Sequence, residues 1–516
     1  MILVIKKYSA IMASTIVLLV ILAGIIVYGN RLTVKDNWGY TDEQIMEYGP
    51  FWIIVPADEN DGLVRDINGV VLDEDPDSIY LILPKGINEK KVVVYIRDGY
   101  ESNYEARREL NLENGESVVA GKKVKSIVSQ IPILFFETNE ESISHYELKE
   151  STYDNPDAFC TGNIASDDMS CDYEATIKLR GNGTRELNKK PYSLKLESAH
   201  NLFGLGKHKK WNLLADTIDK SLLKNYTFLK LSKKIGVEYE PECMHVLLYI
   251  DNDFQGVYLL TTKVTVGSNE IKLGNDDFLF VWKGTKPAQP VKYESKFDVM
   301  GDESLPYTHI DIAYPKEESE ERLEEKREIV QKYVDAADAE DDAADLNSYL
   351  DLESFAKAYW VQEISMNADA ARRSLYSIYR DSTKKIYYAP VWDMDLTLGF
   401  GSDCEGVSLA EPEGWKVRNM GLYKALFRHR EVLDAVRDAY FKGGIRDSMI
   451  ESLSEFDNER EKILNVGKMN YMMWGNERVE YVSEYDVNTY EEYVEKVKEF
   501  YMRRIEWIDN QMNKDR

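Results

Sequence analysis

The run from Tyr8 to Tyr28, "YSAIMASTIVLLVILAGIIVY", carries no charged side chain and is long enough to cross a bilayer as a helix. In hydrocarbon the backbone must satisfy its own hydrogen bonds, so such a stretch is either a transmembrane helix or a signal peptide that is removed. Lys6 and Lys7 precede it, and Arg31 and Lys35 come after it with Asp36. This slight bias sets a cytoplasmic N-terminus and puts the bulk of the chain outside. The run is longer than a usual signal-peptide core and has no clean A-x-A site, although "VYG" at 27–29 offers a cut. A retained anchor, 8–28, is the favoured reading. The rest of the chain is globular in composition: 516 residues with 44% hydrophobic content, nine tryptophans and 34 tyrosines suffice for two or three packed domains.

Sixty-four basic against 91 acidic residues give a net charge of −27, which repels nucleic acid and anionic headgroups. A partner rich in phosphate therefore needs a local basic pocket or intermediary cations. The four cysteines, Cys160, Cys171, Cys243 and Cys404, lack zinc-site spacing. In an exported chain Cys160 and Cys171 could close a short disulfide loop, while Cys243, in an apolar strand-like run, reads as a buried free thiol.

Texture changes along the chain. Residues 40–140 form a β-rich region with the runs "FWIIVPA", "SIYLILP", "KVVVYIRD" and "IPILFFET" between Asp, Gly and Asn turns. It carries no catalytic pattern, so a spacer or protein-binding role fits it best. Residues 141–315 mix strands and helices, including "YEATIKLRG", "PYSLKLES", the helical "DKSLLKNYTFLKLSKKIG" and the hairpin "HVLLYIDNDFQGVYLLTTKV". Residues 316–510 are mainly helical, from an acidic amphipathic run at 316–350 to "YEEYVEKVKEFYMRRIEWIDNQM". The fold class is α+β with a helical C-terminal part.

Three stretches carry chemistry. In "YYAPVWDMDLTLGFG", Asp393 and Asp395 come after a buried strand-like run. If the segment is extended the two carboxylates share a side and repel unless a proton or cation lies between them. They are either metal ligands or acids that cap backbone N–H groups. In "KLRGNGTRELNKKPYSLKLE", Gly181 and Gly183 permit close approach of backbone N–H groups to phosphate with Lys189 and Lys190 nearby, or simply make a turn. In "QEISMNADAARRSLYSIYRD" a helix breaks at Asn367–Asp369, where Asp369 could orient or deprotonate a hydroxyl or could be a cap. A hairpin, "YSIYRDSTKKIYYAP", joins this acid to the aspartate pair, and protein kinases use that order of parts.

Five stretches in order, "IKLRGNGTRELNKKPYSLKLE", "LFGLGKHKKWNLLADTIDKSLLKN", "VLLYIDNDFQGVYLL", "NADAARRSLYSIYRD" and "VWDMDLTLGFG", resemble the motifs of the CotH kinase family, the spore-coat-type atypical kinases, over roughly residues 130–510. The resemblance implies a two-lobed, atypical protein-kinase-like fold that binds ATP with Mg²⁺ or Mn²⁺ and transfers the γ-phosphoryl group to a protein substrate. It further implies that Arg180, Gly181, Asn182, Lys190, Asp219 and Asn225 bind nucleotide, that Asp369 is the catalytic acid, and that Asp393 and Asp395 hold metal. Ser374 occupies the place of a metal-ligating Asn in a kinase catalytic loop, and the position is also serine in part of the family. Members often read "R-G-N-S-T-W" where this chain has Gly183 and Arg185, and an acid where it has Thr262. The first two alter the loop's contacts to phosphate, while Thr262 and Ser374 favour the rival class, an inactive kinase-like surface scaffold that binds nucleotide. The intact Asp369, Asp393 and Asp395 favour the enzyme.

Overall fold

The computed structural model describes residues 52–128 except 57–63, 69, 73–74, 86–91, 98–103, 111–115 and 120–121. It describes 129–514 except 152–154, 156, 168–170, 182, 252, 268–269, 284–308, 317, 340–344, 371–372, 400–406 and 480–484. The expected anchor at 8–28, Asn182 and Cys404 lie outside the described residues. Among the described residues no helix is long and apolar enough to cross a membrane.

The chain divides after Val128 into two units. The first holds strands β1 (Trp52–Pro56), β2 (Val64–Asn68), β3 (Val70–Leu72), β4 (Asp75–Leu83), β5 (Val92–Arg97), β6 (Tyr104–Leu110), β7 (Glu116–Val119) and β8 (Lys122–Val128). They form two four-stranded sheets, β2-β1-β5-β6 and β3-β4-β8-β7. The expected β-rich texture is there, but "IPILFFET" is not part of it. That strand, β9 (Ile133–Thr138), belongs to the second unit, which starts at Ser129.

Alternation builds the second unit's barrel. In β11 (Asp172–Leu179) Ala175, Ile177 and Leu179 point inward and Glu174 and Lys178 outward; in β12 (Tyr192–Asn201) Tyr192, Leu194 and Leu196 point inward. With β10 (Cys160–Ser166), β13 (Lys207–Leu214), β14 (Cys243–Ile250) and β15 (Asp253–Thr262) they close in the order β10-β11-β12-β13-β15-β14-β9. Only the β14–β9 closure is parallel. β14 and β15 are buried on both faces because helices cover the outside of the barrel there. Cys160 and Cys171 are free thiols, so the disulfide loop does not form; the Cys160 thiol instead donates to the Ile143 carbonyl at 3.2 Å, before helix α1 (His145–Glu150). Cys243 is buried and free, as expected.

Helix α2 (Lys224–Ile235) lies on the barrel. A second sheet, β17-β16-β18-β19, is built from β16 (Phe278–Lys283), β17 (His309–Tyr314), β18 (Leu375–Arg380) and β19 (Lys385–Tyr388). The longer helices of the C-terminal part are α3 (Glu320–Asp338), α4 (Leu352–Ser365), α5 (Gly421–Leu426), α6 (Arg430–Lys442), α7 (Ile445–Trp474) and α8 (Tyr490–Lys514). Helix α7 locks the barrel to the helical part. Glu459 accepts from His245 Nδ1 on β14 at 2.7 Å, and His245 Nε2 meets the Leu222 carbonyl at 2.8 Å. A Cβ at Gly467 would stand 2.5 Å from the Tyr490 ring, so α7 and α8 approach only because this position is glycine. Gly467→Ala is expected to lower stability by about 1–3 kcal/mol in a denaturant titration, although alanine is the better helix former.

Candidate active site

The turn after β19 positions the aspartate pair, and it is not a strand. Asp393 has a left-handed φ of 67°, so the pair does not alternate as extended residues would. Three bonds fix the turn. Asn367 Nδ2 donates to the Asp393 carbonyl at 3.2 Å, Met394 N donates to Asn225 Oδ1 at 2.9 Å, and Lys224 Nζ donates to the Thr397 carbonyl at 2.9 Å. Helix α4 feeds the same place. It ends at Met366 with φ 56°, and the chain reverses through Asn367–Ala370 into β18. Backbone bonds from Ala368 N to the Leu396 carbonyl (3.1 Å) and from Leu398 N to the Ser365 carbonyl (2.8 Å) hold the two turns together.

Asp369 is 8% exposed, and its N–H donates to Asn367 Oδ1 at 3.0 Å. Ser374 Oγ donates to Asp393 Oδ2 at 2.7 Å. Asp395 is the electrostatic centre. Loss of hydration, then the charges of Asp393, Asp369 and Asp216, hold its carboxyl well above the ordinary range. Among the described residues no Lys or Arg lies at ion-pair distance from Asp216, Asp393 or Asp395. Arg180, after β11, stands farther off, over the Trp392 ring at 5.7 Å. Its burial lowers its pKa, and Asp393, Tyr376, Asp395 and Asp216 raise it.

Several predicted nucleotide residues are positioning groups in this geometry. Both Asp219 oxygens are occupied: Oδ1 accepts Ser221 N and Oγ, and Oδ2 accepts Lys224 N at 2.8 Å, holding the start of α2. Asn225 bridges the Asp393–Asp395 turn to Asp216, to which its Nδ2 donates at 2.7 Å. Gly181 (φ 85°) opens the β11–β12 connection, where a Cβ would meet Thr184 Oγ1 at 2.2 Å; the loop continues as a 3-10 turn, Gly183–Glu186, rather than a tight hairpin.

Lys190 points away from the acids. Its Nζ donates to the Arg185 carbonyl at 2.9 Å, and its charged neighbours are Glu477, Glu150, Lys149 and Glu186. Lys189 is the lysine on the acidic side, fully buried, donating to the Ala215 and Val257 carbonyls at 2.6 and 2.5 Å, with Asp216 as its charged neighbour. Burial brings its ammonium down to about 7.

Sequence reasoning also missed Asp216, whose carboxyl burial and Asp219 push up to about 7. It missed a cationic group too: Lys263 is lowered by partial burial and by the like charges of Arg180, Lys210, Lys178 and Lys316. These five cations form a locally basic group on an otherwise acidic chain. A last group escaped notice, the fully buried pair Glu363–Arg504. Glu363 also accepts Lys416 N and Arg418 N at 2.7 and 2.9 Å, pinning the segment beyond the aspartate turn to α4.

A divalent cation fits this donor set. The Asp393 and Asp395 carboxylates crowd without an ion-pair partner, Ser374 adds a hydroxyl, and a buried oxygen of Asp216 has no hydrogen-bond partner. Among the described residues no three His, Cys, Asp or Glu side chains form a ready cage. Mg²⁺ usually binds one or two carboxylates and fills its shell with phosphate oxygens and water, so a cage is not required.

Buried acids without ion-pair partners among the described residues thus stand near a group of like-charged cations on a mixed α+β domain. The chain belongs to the CotH kinase protein family, whose model matches residues 177–508. No curated protein matches the sequence.

Proposed function

We propose that this chain transfers the γ-phosphoryl group of ATP to protein side chains, acting outside the cytoplasm from an anchor at 8–28. In this reading the barrel is the nucleotide lobe and the helical part the second lobe of an atypical protein-kinase-like fold. One observation carries it: Asp216, Asp369, Asp393 and Asp395 gather beside Arg180, with Lys178, Lys210 and Lys316 around Lys263, in a member of a kinase family. Bound Mg²⁺ or Mn²⁺ would neutralise charge developing on the transferred phosphate. Asp393 and Asp395 would hold that ion, with Ser374 beside Asp393. Arg180 and Lys263 would bind phosphate oxygens, and Asp369 would orient the acceptor hydroxyl and take its proton. The net charge of −27 disfavours nucleic acid as a partner.

Incubating the detergent-solubilised full chain with γ-labelled ATP and Mg²⁺ or Mn²⁺ tests this. Label on the chain itself or on an added acceptor protein is expected, and label on neither removes the enzyme reading. A nucleotide-binding scaffold is the second reading, favoured by two side chains. Ser374 stands where a kinase loop uses Asn, and the Thr262 hydroxyl accepts the Glu242 N–H at 3.0 Å where the family carries an acid. Ser374→Asn should preserve or raise turnover of an enzyme, as a better ligand for a second ion. A scaffold binds ATP, labels nothing, and gains nothing from the substitution.

A further inference from the structure

We propose that Asp216 is itself a cation ligand, sharing a divalent ion with Asp395 on the barrel side of the aspartate turn; this rests on the metal–nucleotide reading above. Asp216 is 8% exposed, and its two oxygens differ. Oδ1 accepts from Asn225 Nδ2, while Oδ2 is buried with no hydrogen-bond partner. Leaving a charged oxygen so buried is costly unless something cationic meets it.

Its direction is fixed by Asn225, whose own Oδ1 accepts the N–H of Met394, the residue between the two turn aspartates. One side chain therefore ties Asp216 to the Asp395 side, and Asp216 is among the charges acting on Asp395. Three of the cations nearby are turned to other groups. Lys189 serves two carbonyls, Lys224 serves the Thr397 carbonyl, and Arg180 lies over Trp392. A water molecule would satisfy the lone pair but leave the charge. A divalent ion does both.

Asp393 Oδ2 takes the Ser374 hydroxyl. In this arrangement Asp395 would serve two ions, one with Asp216 and one with Asp393, the remainder of each shell coming from phosphate and water. This pairing by twos agrees with the absence of a three-acid cage among the described residues.

The test is Mn²⁺ uptake by the full chain, read by electron paramagnetic resonance, together with the melting temperature. Wild type should bind about two Mn²⁺ ions, and Asp216→Asn and Asp393→Asn about one each, with the lost site weakened about tenfold or more. Asp216→Asn keeps the bond from Asn225 and should melt no lower than wild type in EDTA. Asp216→Ser, which cannot mimic the carboxylate shape, must show the same loss of one ion. Equal Mn²⁺ uptake by wild type and both Asp216 variants overturns the role of Asp216 and leaves the reading of Asp393 and Asp395 intact. No uptake by wild type, with or without ATP, overturns both.

Discussion

Changing Asp369 to Ala leaves Mg-ATP binding nearly intact and slows phosphoryl transfer by a factor on the order of a hundred or more, the scale of a positioned general base. Its placement argues for the split. The Asp369 backbone N–H is held by Asn367, and Asn367 in turn bonds Gln362 Oε1 and the Asp393 carbonyl, so the acid sits at a fixed offset from the metal-type turn. It is among the charges acting on Asp395 without being part of the turn that carries the pair. Loss of its carboxylate removes a proton acceptor, while Arg180, Asp393 and Asp395 remain for nucleotide and metal. Titration with Mg-ATP and a single-turnover labelling assay separate the two effects. Equal labelling by Asp369→Ala and wild type would move the chain to the scaffold class, and loss of ATP binding would make Asp369 a ligand instead.

Range along the chain decides which features are legible in the sequence. The strands "YEATIKLRG" and "PYSLKLES", the hairpin from Leu375 to Tyr388, and the helix break at Asn367 are local patterns, and each is where its pattern placed it. The parallel β9–β14 pairing joins residues more than a hundred apart, so nothing local marks "IPILFFET" as a barrel strand. The same limit hid Glu363 and Arg504, an acid and a base on distant helices. The orientation of Lys190 was illegible for a different reason. Adjacent residues of an extended segment point to opposite sides, and "NKKP" does not say which side faces the site. Asp216 had no motif to announce it. Its meaning comes from an unpartnered oxygen, which only three dimensions show. The aspartate pair itself was legible as an electrostatic problem, though its geometry was not, because the left-handed Asp393 replaces the expected extended backbone.

Replacing Asp393 and Asp395 together with Asn abolishes metal-dependent nucleotide binding and, in EDTA, raises the melting temperature above that of wild type. Asn keeps the shape and can still accept from Ser374 Oγ and Leu396 N, bonds that the wild-type side chains take at 2.7 and 3.0 Å. Burial of the Asp395 charge, and after it the repulsion from Asp393, raise this carboxyl, and both penalties disappear in the variant. A carboxyl whose folded pKa is raised destabilises the fold above that pKa, and the penalty vanishes as pH falls below its unfolded value near 4. The melting gap between variant and wild type should therefore widen as pH rises from about 4 and close again toward pH 4. Added Mg²⁺ or Mn²⁺ should reverse it by stabilising wild type alone, in proportion to the logarithm of free metal. A double variant that binds Mg-ATP as wild type does, and melts lower in EDTA at every pH, would show that these acids cap the turn rather than hold metal. The charge that Asp393 exerts on the buried Asp395 carboxyl would then need a different explanation.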